Sequence, residues 1–356
     1  LIGGSIAKAL KNSDFPYTIT AYDKPEVLAK AKYENVIDEI LANPKDTISA
    51  DVIFICLPLN LSIEVFKELA PLISSNTILT DVSGVKLVFQ KEWEKINSAG
   101  MYIGGHPMTG KEKGGYENSD PLLFENSVYI VTHDLSNTST PFSITDTRIE
   151  KFKNVLTKLG ANILFIPAKQ HDVIAASVSH LPQLLSVALV NTASLKTDEY
   201  NFLDLAAGGF RDMTRIASSN FNIWEDVINQ NQNQILTAIE KYSYELEKIK
   251  NWVSTKNNVE LEKYFIKASK HRNEIPKNTK GFLTPVFDIF VFVKDEPGVI
   301  SKISSILFVN GINIKDIELL KIREGDGGTF RMSFETEKIA QEAKIIISEL
   351  GFKTKD

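Results

Sequence analysis

The segment His106-Pro107-Met108-Thr109-Gly110-Lys111-Glu112-Lys113-Gly114-Gly115 joins one titratable side chain to a polar loop punctuated by glycine. It follows an apolar run, Met101 to Ile103, and two glycines. A strand ending this way delivers an imidazole to the mouth of a site, and glycine lets backbone or ligand come close. Histidine changes protonation near neutral pH, so His106 is a candidate proton acceptor. Downstream lie Ser179-His180-Leu181-Pro182-Gln183 and the pair Arg211 and Arg215, spaced to share one helix face. A guanidinium there can grip a carboxylate through paired hydrogen bonds. The combination points to an enzyme acting on an anionic substrate. His180 also fits a structural role, because a kink at Pro182 would leave nearby carbonyls unpaired. His133, beside Asp134, reads as a solvated side chain.

A second group of residues fits a dinucleotide. Gly3, Gly4 and Ser5 open an Ala-rich helix, with Gly3 in the place of the third glycine of a phosphate-binding turn. Asp23 follows at the end of the next strand. An acid there accepts hydrogen bonds from a ribose diol and repels a 2′-phosphate, which favours NAD over NADP. Close helix packing without a nucleotide is the competing reading of the glycines. The chain begins as though inside this motif, so the strand before the helix is expected to be cut away. Leu57 with Pro58, and Asp81 with Ser83, each follow a buried-looking strand. Ligands gather at the carboxyl ends of parallel strands, so both loops are expected to wall the cofactor. No metal site is read.

The elements that position these groups fall into three domains. Residues 1–168 alternate strand and helix patterns, as in an α/β Rossmann-type dinucleotide-binding domain with a largely parallel sheet. Within it, Leu135 to Asp146 reads as an exposed polar loop. Residues 169–275 form an all-α domain with long helices over His171 to Thr197 and Ile223 to Asn257. The Gln/Asn run from Asn229 to Gln234 is read as lying inside the second helix with no special role. The first helix is apolar around much of its circumference and must be enclosed; a partner subunit would do this, so a homodimer is expected. Residues 276–286 form a linker, and 287–356 show a βαββαβ, ferredoxin-like pattern.

A length of 356 residues suits two or three such domains. The net charge of −5 argues against a nucleic-acid partner. No uninterrupted run of about 18 apolar residues is present, so no membrane span is predicted. The single cysteine, Cys56, cannot form an internal disulfide, and the cytoplasm is the default compartment.

Six ordered segments carry a family resemblance. They are Leu1-Ile2-Gly3-Gly4-Ser5-Ile6-Ala7, His106 to Tyr116, Leu123-Phe124-Glu125-Asn126, His171-Asp172, Ser179-His180-Leu181-Pro182 and Ala206 to Ala217. Residues 1 to about 275 resemble prephenate dehydrogenase. Residues 287–356 resemble an ACT domain, marked by Asp295-Glu296-Pro297-Gly298 and Gly311-Ile312-Asn313-Ile314. The resemblance implies oxidation of prephenate by NAD with loss of carbon dioxide, giving 4-hydroxyphenylpyruvate. It implies that His106 takes the proton of the ring hydroxyl and that Arg215 binds a substrate carboxylate. Ser179, His180 and Arg211 match pocket positions. It further implies an amino-acid effector, with tyrosine expected, near Asn310, Gly311 and Asn313.

Two departures stand out. The family often has Gly-Ser where this chain has Ser83-Gly84, so either Ser83 stands in for the displaced serine as a catalytic residue or that contact is lost. Gln183 stands where the family often has a second histidine and is expected to contact substrate, though glutamine cannot change charge in this range. Arogenate dehydrogenase and a tyrosine-binding regulatory protein on an inactive scaffold are the alternatives.

Overall fold

The computed structural model describes residues 1–111, 113–132, 146–194, 201–274, 286–294, 296–323 and 327–355. His133, most of the polar loop expected over Leu135 to Asp146, Asp295 and all but Val286 of the expected linker lie outside the described residues. The chain forms two compact units, Leu1–Glu262 and Lys263–Asp356.

The first unit opens with α1 (Ile2–Lys11), β1 (Thr20–Ala21), α2 (Pro25–Tyr33), β2 (Glu39–Ile40), β3 (Val52–Ile55), α3 (Leu59–Leu69), β4 (Ile78–Asp81) and α4 (Leu87–Trp93). It continues through β5 (Met101–Tyr102), β6 (Gly104–Pro107), β7 (Val128–Thr132), α5 (Thr147–Lys158) and β8 (Asn162–Phe165). Strands β3, β4 and β5 pair in parallel, as do β1 with β2 and β7 with β8. The strand expected over Tyr17 to Tyr22 is shorter, because the Ile19 amide donates to the Asp38 carboxylate at 2.7 Å instead of to a ladder.

The strand bearing His106 departs from the parallel pattern: β6 runs antiparallel to β7, with His106 opposite Ile130. The chain passes from one sheet to the other at Gly104 and Gly105, where backbones crowd. A Cβ on Gly104 would stand 2.2 Å from Thr132 Oγ1, and one on Gly105 would stand 2.6 Å from the Asp81 carbonyl. Only glycine fits there. Apolar side chains close both faces of the sheets, with Phe66, Leu79, Phe89, Phe124 and Phe152 fully buried.

A single long helix, Ala168–Ala193, follows in two α segments, α6 (Ala168–Ala175) and α7 (Leu181–Ala193). A π turn over Ala176–His180 joins them. Pro182 has no N–H for the carbonyl four residues back, and the ladder widens in the turn just before it. An 18-residue window within this helix has a mean hydropathy of 1.7, so by length and composition the helix is apolar enough to cross a membrane, a property that average composition shows and run length does not. Polar His171, Asp172, His180, Gln183 and Ser186 are buried together with Ala168, Ala175 and Ala176, while Ile174, Val178 and Val187 are exposed. The outward apolar side chains leave a surface suited to a protein partner.

Next come α8 (Gly208–Thr214), a 3-10 turn over Arg215–Ser218, α9 (Phe221–Gln230), α10 (Gln232–Ser254) and α11 (Asn258–Glu274). The helix expected over Ile223 to Asn257 is thus divided at Asn231 and again beyond Ser254. Asn231 leaves helical geometry because its side chain is drawn inward, as described below.

The second unit holds β9 (Phe287–Val293), α12 (Val299–Val309), β10 (Asp316–Arg323), β11 (Gly327–Phe334), α13 (Glu337–Glu349) and β12 (Lys353–Lys355). Its sheet order is β10-β11-β9-β12, antiparallel throughout, which is the split βαβ arrangement. Ile289, Val291, Ile303, Leu307, Met332, Ala343 and Ile347 make its core. Gly298 and Gly311 bracket α12 with φ of +87° and +70°, values that suit glycine.

Candidate active site

His106 stands half-buried on β6, and its Nδ1 lies 2.8 Å from Nε2 of His171 on α6. His171 Nδ1 lies 2.8 Å from Asp172 Oδ1. Asp172 in turn accepts the backbone amides of Lys86 at 2.8 Å and Leu87 at 2.9 Å, the free N–H groups at the start of α4. A carboxylate is favoured at a helix N-terminus by the local dipole as well as by these bonds. The helical segment is thereby pinned onto the sheet directly behind the imidazole. Burial, reinforced by the Lys86 ammonium and by the neighbouring imidazoles of His171 and His180, which disfavour a further positive charge, holds the His106 pKa well below the usual histidine range. The ring is therefore neutral near pH 7, the state of a proton acceptor.

Beneath His106 lies a buried ion pair. The Lys86 ammonium bonds the Asp81 carboxylate and donates to the Gly105 carbonyl at 2.6 Å, and neither charged side chain is exposed. Asp81 also accepts Tyr102 Oη and the Ser83 amide, each at 2.9 Å. The Asp81 carboxylate is thus spent inside the protein, which corrects its expected place on the cofactor wall. All of β4 is buried on both faces, so its last residue follows the strand inward.

Ser83 does not take the orienting role expected of it. Its Oγ is buried and has no hydrogen-bond partner among the described residues, while the bare face of Gly84 looks onto His106. A Cβ on Gly84 would stand 3.8 Å from both Cε1 and Nε2 of the ring. The position that faces the imidazole therefore carries no side chain, and His171 holds the ring from the other edge.

Gln183 is buried at 5% exposure and donates to the Ile216 carbonyl at 2.9 Å, while Ser219 Oγ lies 3.5 Å from its Oε1. It braces the turn that begins at Arg215; its amide is engaged with the backbone, in contrast to the expected substrate contact. Arg215 and Arg211 are exposed, and Arg211 Nε donates to the Ala206 carbonyl at 3.2 Å. Ser179 sits half-buried in the π turn. His180 is buried against Trp224, with ring centroids 6.0 Å apart, and burial lowers its pKa to about 4. Asn231, read from sequence as an ordinary helix position, is buried; its Nδ2 donates to the Asp172 carbonyl at 2.9 Å and lies 3.2 Å from His180 Nδ1.

The nucleotide-binding features also have defined places. Gly3 and Gly4 lie in the first turn of α1, and both are needed for packing. A Cβ on Gly3 would meet Cys56 at 3.2 Å, and one on Gly4 would meet Tyr116 at 2.9 Å. The Ser5 hydroxyl is buried and accepts the Asp120 amide at 3.0 Å, so this residue can offer a ligand only its backbone. Asp23 is exposed beyond the end of β1, and Pro58 caps α3 just after Leu57 at the carboxyl end of β3. The N-terminus of α1, brought against the end of β3 by glycine, with an exposed acid at the next strand end, fits a dinucleotide. In the second unit Asn310, Gly311 and Asn313 are exposed after α12.

Sequence comparison matches residues 6–165 to the nucleotide-binding domain of prephenate dehydrogenase, 167–267 to its dimerization domain and 287–346 to an ACT domain. The chain is 32% identical to a prephenate dehydrogenase of Bacillus subtilis over 97% of its own length and 92% of that protein's. The Aquifex aeolicus prephenate dehydrogenase solved with hydroxyphenyl propionate and NAD+ is 30% identical, with a TM-score of 0.67 over 77% of this chain and 94% of that one. Synechocystis arogenate dehydrogenase is 27% identical, with a TM-score of 0.65 over 77% of this chain and 96% of the other. With its nucleotide-binding, dimerization and ACT segments in this order, the chain belongs to the prephenate dehydrogenase family.

Proposed function

We propose that this chain oxidatively decarboxylates prephenate to 4-hydroxyphenylpyruvate, with His106 as the proton acceptor. The observation that carries the reading is a neutral imidazole at a strand end, held by His171 at Nδ1 and open toward Gly84 at Nε2. In this reading Nε2 takes the proton of the ring hydroxyl. Departure of the ring carboxylate as carbon dioxide then leaves an aromatic product. Arg215 and Arg211 hold the substrate carboxylates, with Ser179 and His180 on the adjoining helix, and Gln183 sets the turn that carries Arg215. Gly3, Gly4, Ser5, Asp23, Leu57 and Pro58 would hold NAD, which supplies the hydride acceptor when bound.

The three domains of this reading are 1–168 for the nucleotide, 169–275 for substrate and dimerisation, and 287–356 for regulation, with tyrosine as effector near Asn310, Gly311 and Asn313. The partner for the exposed apolar side of Ala168–Ala193 is a second copy of the chain, in keeping with the dimerization-domain match. The test is NADH formation from prephenate and NAD, repeated with arogenate. His106→Asn should lower kcat by roughly 100- to 10,000-fold. Unchanged turnover in that variant refutes the assignment, and a higher kcat/KM with arogenate reassigns the substrate.

A further inference from the structure

An imidazole is a base only at the nitrogen that lacks a proton, so the tautomer of His106 decides whether Nε2 can act. The structure supplies a chain of hydrogen bonds that settles it. Asp172 is 1% exposed and anchored by two backbone amides, and an ionised carboxylate can only accept. His171 Nδ1, 2.8 Å from Asp172 Oδ1, must therefore carry the proton. With that as its single ring proton, His171 presents a lone pair at Nε2, which makes His106 Nδ1, 2.8 Å away, the donor. That leaves the lone pair of His106 at Nε2, the atom beside the empty face of Gly84.

We propose that His171 and Asp172 are positioning residues that lock His106 in the Nδ1–H tautomer and supply the counter-charge when it becomes an imidazolium. The inference rests on His106 being the proton acceptor. The loop after Asp81 does not do this work: Gly84 has no hydroxyl, and that of Ser83 makes no hydrogen bond among the described residues. The other titratable groups around the ring are engaged elsewhere. Lys86, Asp81 and Tyr102 bond among themselves on the sheet side, and His180 meets Asn231 on the helix side. The same Asp172 that orients the relay caps α4, so the helical segment and the sheet must be docked before His106 is correctly protonated.

The chain has five histidines, so selective imidazole 15N labelling gives a spectrum simple enough to assign, with His106→Asn identifying the signal. In the unmodified protein the neutral ring should show a protonated Nδ1 and a bare Nε2. Asp172→Asn gives the site an amide that cannot accept from His171 and both α4 amides at once. It should move His106 toward the Nε2–H form and cut kcat by roughly 100- to 10,000-fold, with KM for prephenate changing less than about threefold. His171→Gln keeps an acceptor near His106 and leaves the Asp172 contacts to α4 intact; it should retain far more activity than His171→Leu. A His106 found as Nε2–H in the unmodified protein overturns the proposal, and so does His171→Leu with kcat within about threefold of normal. If His106→Asn itself stays active, the assignment of the base has failed instead. If it is inactive while both partner variants are unaffected, only the positioning role has failed.

Discussion

Replacing Lys86 by methionine tests the account of what lies beneath His106. The substitution keeps most of the apolar stem and removes the ammonium. Asp81 would keep Tyr102 Oη and the Ser83 amide at 2.9 Å each, but lose the Lys86 ammonium in a place where both side chains are 0% exposed. Breaking a buried pair from one side costs about 3–5 kcal/mol, because the remaining charge stays unpaired or must take up a proton. The Gly105 carbonyl would also lose the donor it has at 2.6 Å, at a cost of about 1–3 kcal/mol if nothing replaces it. Relaxation offsets part of this, so we expect a total of about 3–5 kcal/mol. At roughly 2–4 °C per kcal/mol for a unit of this size, the melting temperature should fall by about 6–20 °C. Adding Asp81→Asn to Lys86→Met removes the stranded charge and should recover part of the loss. Urea unfolding of the two single variants and the double variant forms a complete cycle, and the coupling should exceed about 1 kcal/mol. A single-variant cost below about 1 kcal/mol, or strictly additive losses, would refute the buried-pair account.

Other expectations follow from the same site. Gly84→Ser adds a hydroxyl beside His106 where an added Cβ has ordinary contact distance, so it should fold normally; it should leave the melting temperature within about 2 °C and move the acid limb of kcat/KM. An unchanged limb would mean that the hydroxyl does not reach the ring. The His180 pKa is held at about 4 by burial, against about 6.5 when unfolded. The unfolded chain therefore takes up a proton first as pH falls, so this contribution to stability is full above about 6.5 and lost between there and about 4. His180→Asn should flatten the decline of melting temperature over that window, and an equally steep decline would show the charge change lies elsewhere. Asp23→Ser should weaken NAD binding by roughly 10-fold or more while NADP weakens less, measured by calorimetric titration; equal losses for both would remove Asp23 from the ribose site. Tyrosine should inhibit turnover, and Asn313→Ala should raise the concentration required; inhibition insensitive to that change would place the effector elsewhere.

The layered fold and the histidine at a strand end were legible because each depends on local pattern. Apolar runs of strand length end at Ile55 and Asp81, glycines crowd the step before His106, and βαββαβ order marks the last 70 or so residues. The partners of His106 were not legible, since the bond to His171 spans 65 positions and depends on where α6 docks. The adjacent pair His171-Asp172 was visible as a family match, but nothing near it says which groups it meets. Asn231 left no signal at all: its neighbours are also amides, and only the approach of Asp172 and His180 distinguishes it.

Asp81, Ser5 and Gln183 share one physical reason for being read as ligand contacts. Each is polar and lies where a fold of this kind meets ligands, yet each turns inward to satisfy protein groups. Along β4 all four residues are buried, so the alternation that separates inside from outside is missing and Asp81 carries no mark of direction. A buried polar group must find a partner, and here those partners are the charge under His106, the loop that follows it and the turn bearing Arg215. The polar residues that face inward therefore shape the site as much as those that face the substrate. Gly84, with no side chain, is what leaves Nε2 open, and the pair behind the ring decides that Nε2 is the nitrogen able to use the opening.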